Sequence, residues 1–230
     1  MKIQFPNIAI VGTGAMGRGI AQIGAQAGSQ VFLLDANPGA ADAARAALQE
    51  QWNKLVAKGR IEADQATALT ARLHPGTTVA DLAACDLVVE AIVERLDAKQ
   101  ALFVELEGVV RADAVLATNT SSLSVTAIGA SLKRPERLAG FHFFNPVPLM
   151  KVVEVIAGLK TDPSICTALA AYAKAMGHTP VQAQDTPGFI VNHAGRGFGT
   201  EALRIVGGGV ADFATIDRIL RDQVGFKLGP

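Results

Sequence analysis

The sequence predicts an α/β protein built on a mostly parallel, doubly wound sheet, followed by a shorter segment that contains helices only. Short apolar runs recur along the chain, and helix-forming stretches separate most of them. Strands that alternate with helices pair in parallel through right-handed crossovers. The apolar runs stop shortly before residue 186. We therefore expect one domain over residues 1–185 and a second, helical one over residues 186–230.

The first half of the chain predicts regular strand–helix alternation. Four-residue apolar runs are typical of strands that are buried on both faces. The predicted strands are 8–11, 31–34, 87–90 and 115–118, and the predicted helices are 15–27, 38–58, 62–73 and 95–110. Pro38 suits the first turn of its helix, where a missing N–H costs nothing.

Two further strands are expected at 138–144 and 151–156, joined by a short segment rich in proline. So short a connection favours an antiparallel pair, because parallel strands need a long crossover. A helix at 163–176 and a strand at 180–183 complete the predicted sheet. The whole fold is therefore a doubly wound sheet with added antiparallel strands, followed by a partial all-α domain.

Composition argues against several classes of function. The 230 residues carry 21 Lys plus Arg and 21 Asp plus Glu, so the formal net charge is zero. A protein that binds nucleic acid or an anionic membrane usually has a clustered basic face, and neither partner is expected here. Cys85 and Cys166 are too few for a disulfide scaffold. With no secretory signal in residues 1–7 and no transmembrane stretch, we expect a soluble, cytoplasmic protein. No metal site is predicted.

Gly12–Gly17 forms the pattern G-x-G-x-x-G between the first strand and the first helix. In a Rossmann-type dinucleotide-binding fold, Gly12 permits the tight turn, Gly14 lets the backbone approach a pyrophosphate, and Gly17 packs the helix on the strand. Asp35 ends the second strand, where a carboxylate binds the ribose 2′-hydroxyl. A carboxylate there repels a 2′-phosphate, so NAD is predicted rather than NADP. The alternative is a glycine turn with an aspartate that caps a helix.

Four blocks in the second half of the chain carry a specific resemblance. They are Asn119–Leu123 (NTSSL), His142–Pro146 (HFFNP), Val153–Val155 (VEV) and Asp185–Asn192 (DTPGFIVN). In this order they resemble the 3-hydroxyacyl-CoA dehydrogenase family. The resemblance implies reversible, NAD-dependent oxidation of (S)-3-hydroxyacyl-CoA to 3-oxoacyl-CoA in acyl-CoA degradation. It also implies catalytic roles for Ser121, His142, Glu154 and Asn192.

The residue types suit that chemistry. Oxidation of a secondary alcohol needs a base for the hydroxyl proton, and histidine titrates near neutral pH. A strand pair with a short turn brings His142 and Glu154 within hydrogen-bond reach, where Glu154 would fix the imidazole tautomer. Ser121 follows a strand at the carboxyl edge of the sheet, where its hydroxyl could bond the substrate oxygen. Alternatively, His142 is structural and Ser121 caps the helix from Val125. A Ser/His/Glu hydrolase triad is disfavoured because no G-x-S-x-G elbow is present.

The remaining site predictions concern the cofactor and coenzyme A. Family resemblance places Glu94 and Lys99 near the nicotinamide-side ribose and Asn145 near the nicotinamide. The full set of predicted NAD contacts is Gly12, Thr13, Gly14, Ala15, Met16, Gly17, Asp35, Glu94, Lys99, Asn119, Ser121 and Asn145. Lys54 and Lys58 share a helix face and could meet the CoA phosphates, although a solvated basic helix end is equally consistent. Ser121 and Asn192 would bind the substrate oxygen.

Two alternatives and one expectation about the chain end stay open. The enzyme could act on a free hydroxy acid, or the chain could be a non-catalytic NAD-binding relative. Residues 224–230 resemble the family's turn after its second substrate-domain helix, so the helical domain is expected to be truncated. The fragment itself is then expected to bind NAD through residues 1–185 but to be poorly active or inactive. Five apolar residues should then be partly exposed: Ile205, Val206, Ile216, Ile219 and Leu220. The resemblance also implies that the full-length protein is a homodimer. Glycines at 195, 197 and 199 depart from the family's bulkier residues and leave acyl specificity open.

Overall fold

An eight-stranded sheet forms the centre of the larger part of the chain in the computed structural model, which describes residues 4–230. Its strand order is β3-β2-β1-β4-β5-β6-β7-β8. The strands from β3 to β6 are parallel, β7 is antiparallel to β6, and β8 is parallel to β7. The strands are β1 (Asn7–Val11), β2 (Gln30–Leu34), β3 (Leu73–Pro75), β4 (Leu87–Glu90), β5 (Val115–Thr118), β6 (Leu138–Phe143), β7 (Val152–Ala157) and β8 (Thr179–Gln184).

The order β3-β2-β1-β4-β5-β6 is that of a Rossmann-type doubly wound sheet. The predicted fold class is therefore confirmed, including the antiparallel pairing of β6 with β7. The strand order reverses direction between β1 and β4, and in such sheets ligands bind beyond the carboxyl ends of the strands at this point.

Eight α-helices accompany the described strands, and most begin and end within a few residues of the predicted bounds. They are α1 (Ala15–Gln26), α2 (Ala40–Ala57), α3 (Ala63–Ala71), α4 (Leu96–Val109), α5 (Val125–Gly129), α6 (Pro163–Ala175), α7 (Val191–Gly207) and α8 (Phe213–Ile219). Single turns of 3₁₀-helix occupy Val79–Leu82 and Pro135–Arg137, and a π-helical turn at Leu220–Val224 follows α8.

Two of the predicted helix bounds are wrong. Pro38 lies before α2 rather than in its first turn, because Gly39 takes a left-handed conformation with φ of 76° and starts the helix at Ala40. The predicted helix 62–73 ends too late, since Leu73 pairs with Val31 in the three-residue strand β3. A strand of three residues is too short to show a pattern of apolar residues in the sequence. It is a strand because its backbone hydrogen-bonds to the neighbouring strand β2.

The central strands are buried on both faces. Every residue of β4, β5 and β6 is buried, and apolar residues of β1 and β2 join the same core. Helix α2 contributes Trp52, which has none of its surface exposed. Burial of apolar surface contributes about 25 cal/mol per Å² removed from water. A sheet covered in this way holds the ends of its strands in fixed relative positions.

Both edge strands contain a proline whose nitrogen faces outward. Directly after β3, the N–H of Gly76 donates to Leu33 O of β2 at 2.8 Å. At the start of β8, the N–H of Thr179 donates to Lys151 O at 2.6 Å. Backbone groups of successive residues in a strand point to opposite sides. The nitrogens of Pro75 and Pro180 therefore face away from the neighbouring strand.

Residues Pro187–Pro230 form a second unit that contains only helices. Apolar side chains of α7 and α8 line a groove of about 650 Å³, among them Phe198, Ile205, Ile216 and Ile219. Ile219 is 48% exposed, and Ile205, Val206 and Leu220 are half-buried. The predicted exposure of Ile216 is wrong, because only 8% of it is exposed.

None of the helices among residues 4–230 combines the length and the apolar character needed to cross a membrane. The prediction that residues 1–7 contain no secretory signal begins at Met1, and residues 1–3 lie outside the described residues.

Candidate active site

The glycine-rich loop between β1 and α1 is shaped by two of its three glycines. Gly12 has φ of 94°, and a Cβ there would lie 2.5 Å from Ala91 O. A Cβ on Gly17 would lie 1.8 Å from Gly12 O. Only glycine lets the chain turn at Gly12 and lets α1 approach the loop at Gly17. These are the turn and packing roles that the sequence predicts for the two residues.

Gly14 has a different environment. It is exposed, and a Cβ there would meet no protein atom within 4 Å. Gly14 is also the N-cap residue of α1 and has no side chain to occupy the helix end. The first N–H groups of a helix have no acceptor within it and favour anions. An open backbone surface of this kind fits the pyrophosphate of NAD, with Ala15 exposed and Met16 half-buried beside it.

Asp35, directly after β2, ties this loop to the neighbouring strand. Its Oδ2 accepts from the N–H and the hydroxyl of Thr13 at 2.7 and 2.8 Å. Its Oδ1 accepts from the backbone N–H and the side-chain amide of Asn37 at 3.0 and 3.1 Å. Burial alone would raise the pKa of Asp35, but hydrogen bonds from Asn37 and Thr13 outweigh it and lower that pKa. Asp35 is therefore held as a carboxylate beside the glycine loop.

Glu94, beyond β4, organises the loop that contains Ser121. Its Oε1 accepts from the Thr120 hydroxyl at 2.6 Å and from the N–H groups of Ser121 and Ser122 at 2.9 and 3.2 Å. The Ser121 hydroxyl lies 3.4 Å from the same oxygen. Burial alone would raise the pKa of Glu94, but the hydrogen bonds from Thr120 and Ser121 and the charge of Lys99 lower it to about 2.

Sequence reasoning missed the role of Glu90, the last residue of β4. Glu90 is 0% exposed, and its Oε1 lies 2.5 Å from the ammonium of Lys99, which is itself 1% exposed. Lys99 also lies 3.2 Å from Glu94 Oε2. Lys99 is thus enclosed between two carboxylates, and its predicted contact with the cofactor stays a prediction. An acidic residue within the apolar run 87–90 was the available signal, since buried charges are usually paired.

Asn119 joins the ends of β5 and β6. Its Oδ1 accepts the N–H of Phe143 at 2.9 Å, one residue beyond His142. Its predicted cofactor contact is not shown, but the bond fixes the strand end that carries the histidine. Asn145, two residues beyond Phe143, is exposed and precedes a cis peptide bond to Pro146.

His142 and Glu154 face each other across the antiparallel pair β6–β7. The imidazole Nδ1 lies 2.6 Å from Glu154 Oε2, and the residues are 5% and 0% exposed. Side chains directly opposite each other in such a pair lie on the same face of the sheet. The predicted hydrogen bond is therefore present. An ionised carboxylate only accepts hydrogen bonds, so with Glu154 ionised the imidazole Nδ1 is the donor of this bond.

The helix that follows Ser121 is capped by a different serine. Ser124 is the N-cap of α5, and its Oγ accepts the N–H of Ala127 at 3.1 Å. Asp185 adds bonds from the Ser124 hydroxyl at 2.7 Å and from the N–H of Val125 at 2.9 Å. The alternative in which Ser121 caps this helix is wrong. Asp185, identified from the sequence only as part of a motif, connects the end of β8 to the start of α5.

The remaining predicted residues are on helices α2 and α7. Lys54 is exposed in the last turn of α2 and pairs with Glu50 at 2.7 Å, while Lys58 is the C-cap of the same helix. Asn192 is half-buried in the first turn of α7, within the second unit. Among residues 4–230, no group of three His, Cys, Asp or Glu side chains is arranged to hold a metal ion.

Residues 7–186 match the family model described as "3-hydroxyacyl-CoA dehydrogenase, NAD binding domain". The chain belongs to the 3-hydroxyacyl-CoA dehydrogenase family. Residues 188–230 match the model of the same family's C-terminal domain. The cofactor of this family's first domain is NAD, which agrees with the glycine loop and Asp35.

Individual relatives agree with this assignment. The chain is 44% identical over 230 residues to 3-hydroxyadipyl-CoA dehydrogenase of Escherichia coli (strain K12), covering 100% of this chain and 48% of that protein. It is 38% identical to 3-hydroxybutyryl-CoA dehydrogenase of Clostridioides difficile, covering 97% and 80%. The crystal structure of (S)-3-hydroxybutyryl-CoA dehydrogenase from Ralstonia eutropha matches with a TM-score of 0.93 at 34% identity, covering 98% and 80%. The chain thus spans about half the length of the E. coli relative.

Proposed function

We propose that the chain carries the reaction centre of an NAD-dependent dehydrogenase that interconverts (S)-3-hydroxyacyl-CoA and 3-oxoacyl-CoA. The observation that carries the proposal is the buried His142–Glu154 pair, with 2.6 Å between Nδ1 and Oε2. His142 is near the carboxyl end of β6, which is parallel to β5, β4 and β1, and β1 leads into the glycine loop. The carboxyl ends of parallel strands share one edge of the sheet, where the cofactor binds in this fold.

His142 acts as the base in the oxidation direction. Its Nε2 takes the proton of the substrate hydroxyl, and in the reverse direction the imidazolium returns it. Glu154 orients the ring through Nδ1 and stabilises the imidazolium that forms. Burial of the pair strengthens this interaction, because an ionic hydrogen bond is stronger in a medium of low dielectric constant.

Ser121 donates a hydrogen bond to the substrate oxygen that changes between alcohol and ketone. Asn192 is a further substrate-binding residue, proposed on family resemblance alone. Support for Ser121 comes from the hydrogen bonds that Glu94 accepts from the backbone of its loop. The Gly12–Gly17 loop and Asp35 would hold NAD, with Glu94 and Asn145 on its nicotinamide side. Bound NAD would supply the acceptor for the hydride of the alcohol carbon, and NADH would supply the donor in the reverse direction.

The substrate is proposed to be a coenzyme A ester, because relatives that cover the chain are named as dehydrogenases of 3-hydroxyadipyl-CoA and 3-hydroxybutyryl-CoA. Lys54 and Lys58, near the end of α2, would contact its phosphates, and Lys54 would exchange its exposed ion pair with Glu50 for that contact. We also propose that the full-length protein works as a homodimer in the cytoplasm.

The reaction is tested by mixing the protein with NADH and acetoacetyl-CoA and following the loss of NADH absorbance. Free acetoacetate and the 3-oxoadipyl thioester are assayed in parallel. Turnover of thioesters without turnover of the free acid supports the proposal. Turnover of the free acid alone would identify a dehydrogenase of hydroxy acids. NADH binding with no turnover of any of the three by the full-length protein would identify a non-catalytic relative.

The roles of the pair are tested by His142→Gln and Glu154→Gln. Each substitution should lower kcat by about a hundredfold to ten-thousandfold, the usual contribution of a positioned general base. NADH affinity should be unchanged, because neither side chain belongs to the glycine loop. Near-normal turnover in either variant contradicts the proposed proton transfer.

A further inference from the structure

Glu90 is enclosed and fully engaged, although it ends an otherwise apolar strand. Its Oε1 accepts from Lys99 Nζ at 2.5 Å and from the N–H of Ile92 at 2.7 Å. Its Oε2 accepts from the hydroxyl of Thr118 at 2.7 Å. A buried carboxylate is tolerated only when it is paired and hydrogen-bonded. The two oxygens lead to different elements, α4 and β5.

The Oε2 side leads to the chain just before Ser121. Thr118 is the last residue of β5 and is 0% exposed. Its Oγ1 donates to Glu90 and accepts the N–H of Thr120 at 3.2 Å. The direction in which the chain leaves β5 is therefore fixed by a hydroxyl that Glu90 orients.

Oε1 of Glu90 is connected to the other end of the same loop, through Lys99 and Glu94. Lys99 lies between Glu90 and Glu94, at 2.5 and 3.2 Å from their carboxylates. Glu94 in turn accepts the N–H groups of Ser121 and Ser122. One buried carboxylate is thus connected to both ends of the segment 120–122.

We propose that Glu90 is a positioning residue, which holds the Ser121 loop through Thr118 on one side and through the Lys99–Glu94 pair on the other. The catalytic consequence rests on the proposed function, because it assumes that Ser121 contacts the substrate. The geometric consequence does not: without this network, the segment 120–122 loses its defined position.

Thr118→Val and Thr118→Ser form the matched test. Valine keeps the shape of threonine but removes the hydroxyl, whereas serine keeps the hydroxyl and removes the methyl group. Thr118→Val should lower kcat by about a hundredfold, the loss expected when a reacting group is displaced by about 1 Å. Thr118→Ser should stay near the wild-type value. Equal losses in both variants would indicate packing alone and overturn the proposal.

Amide hydrogen exchange gives a readout that needs no turnover. In Thr118→Val the amides of Thr120, Ser121 and Ser122 should exchange at least tenfold faster than in Thr118→Ser, with β7 and β8 unchanged. Glu90→Gln is the second variant if Thr118→Val does not fold, and the same three amides should respond. Unchanged exchange in the folded variant refutes the positioning role. A wild-type protein that is inactive toward CoA thioesters would refute the proposed function instead, and the exchange pattern would still decide this inference.

Discussion

Asp35 is the residue at which we expect the choice between NAD and NADP to be made. It directly follows β2, and its carboxylate already accepts hydrogen bonds from Thr13 of the glycine loop. A substitution at this position therefore changes two things at once: the charge that a ribose would meet and the anchor of the loop.

Replacing Asp35 with Ser should weaken NADH binding and narrow the difference between the NADH and NADPH dissociation constants. A carboxylate repels a 2′-phosphate and bonds a 2′-hydroxyl, and serine does neither strongly. The two constants are measured by fluorescence titration. Thr13→Val serves as the control, because it removes the hydroxyl bond at 2.8 Å and keeps the carboxylate. Wild-type protein that binds NADPH as tightly as NADH would contradict the assignment of Asp35.

At the scale of elements, the glycines of the loop between β1 and α1 have different roles, one in packing and one in the proposed binding of NAD. Gly17 is required by the contact of α1 with the loop, whereas Gly14 is not required by any protein contact. Two glycines of one motif, three residues apart, should therefore fail in different ways when a methyl group is added.

Gly17→Ala should destabilise or unfold the protein, because its Cβ would lie 1.8 Å from Gly12 O. Gly14→Ala should melt close to the wild type and lose affinity for NADH, since the added methyl group points into space that the protein leaves open. Thermal melting and NADH titration of both variants distinguish the two effects. A Gly14→Ala protein that binds NADH normally would show that no ligand approaches the backbone there.

Long, periodic elements could be predicted from the sequence. The buried strands appear as short, mostly apolar runs, and the reversal at β6–β7 follows from the short proline-containing connection. That His142 and Glu154 come within hydrogen-bond reach could be anticipated, because they are on two strands joined by a short turn. Each of these features depends on residues close together in the chain.

Features that depend on distant residues could not be predicted in the same way. Strand β3 exists because Leu73 meets Val31, more than forty residues away. The bond from Thr118 to Glu90 spans 28 residues, and the bond from Val125 to Asp185 spans 60. No local pattern encodes such pairs, although an acidic residue in an apolar strand indicates that some partner exists.

For the molecule as a whole, acid stability should depend on carboxylates that the fold keeps ionised. Glu94 is the clearest case, with a pKa lowered from 4.5 to about 2. A group whose pKa is lower in the folded state stabilises that state at pH values above its unfolded pKa. The contribution of Glu94 is therefore complete above pH 4.5 and is lost as the pH falls toward about 2.

The comparison of wild type with Glu94→Gln isolates this contribution. The difference between their free energies of unfolding should be constant above pH 4.5 and should shrink below it, because glutamine does not titrate. Urea denaturation at a series of pH values measures both. Asp35 and Asp185, whose pKa values are also lowered, affect both proteins equally. Two curves that remain parallel through this range would contradict the shift.

The outward-facing nitrogens of Pro75 and Pro180 have a consequence for aggregation. A strand from another molecule can add to a sheet only by pairing with N–H and C=O groups along its edge. A proline whose nitrogen faces outward removes one donor from that edge and interrupts the template. Since this occurs on both margins of the sheet, sheet-to-sheet polymerisation is disfavoured at either end, even when the strands are exposed during folding.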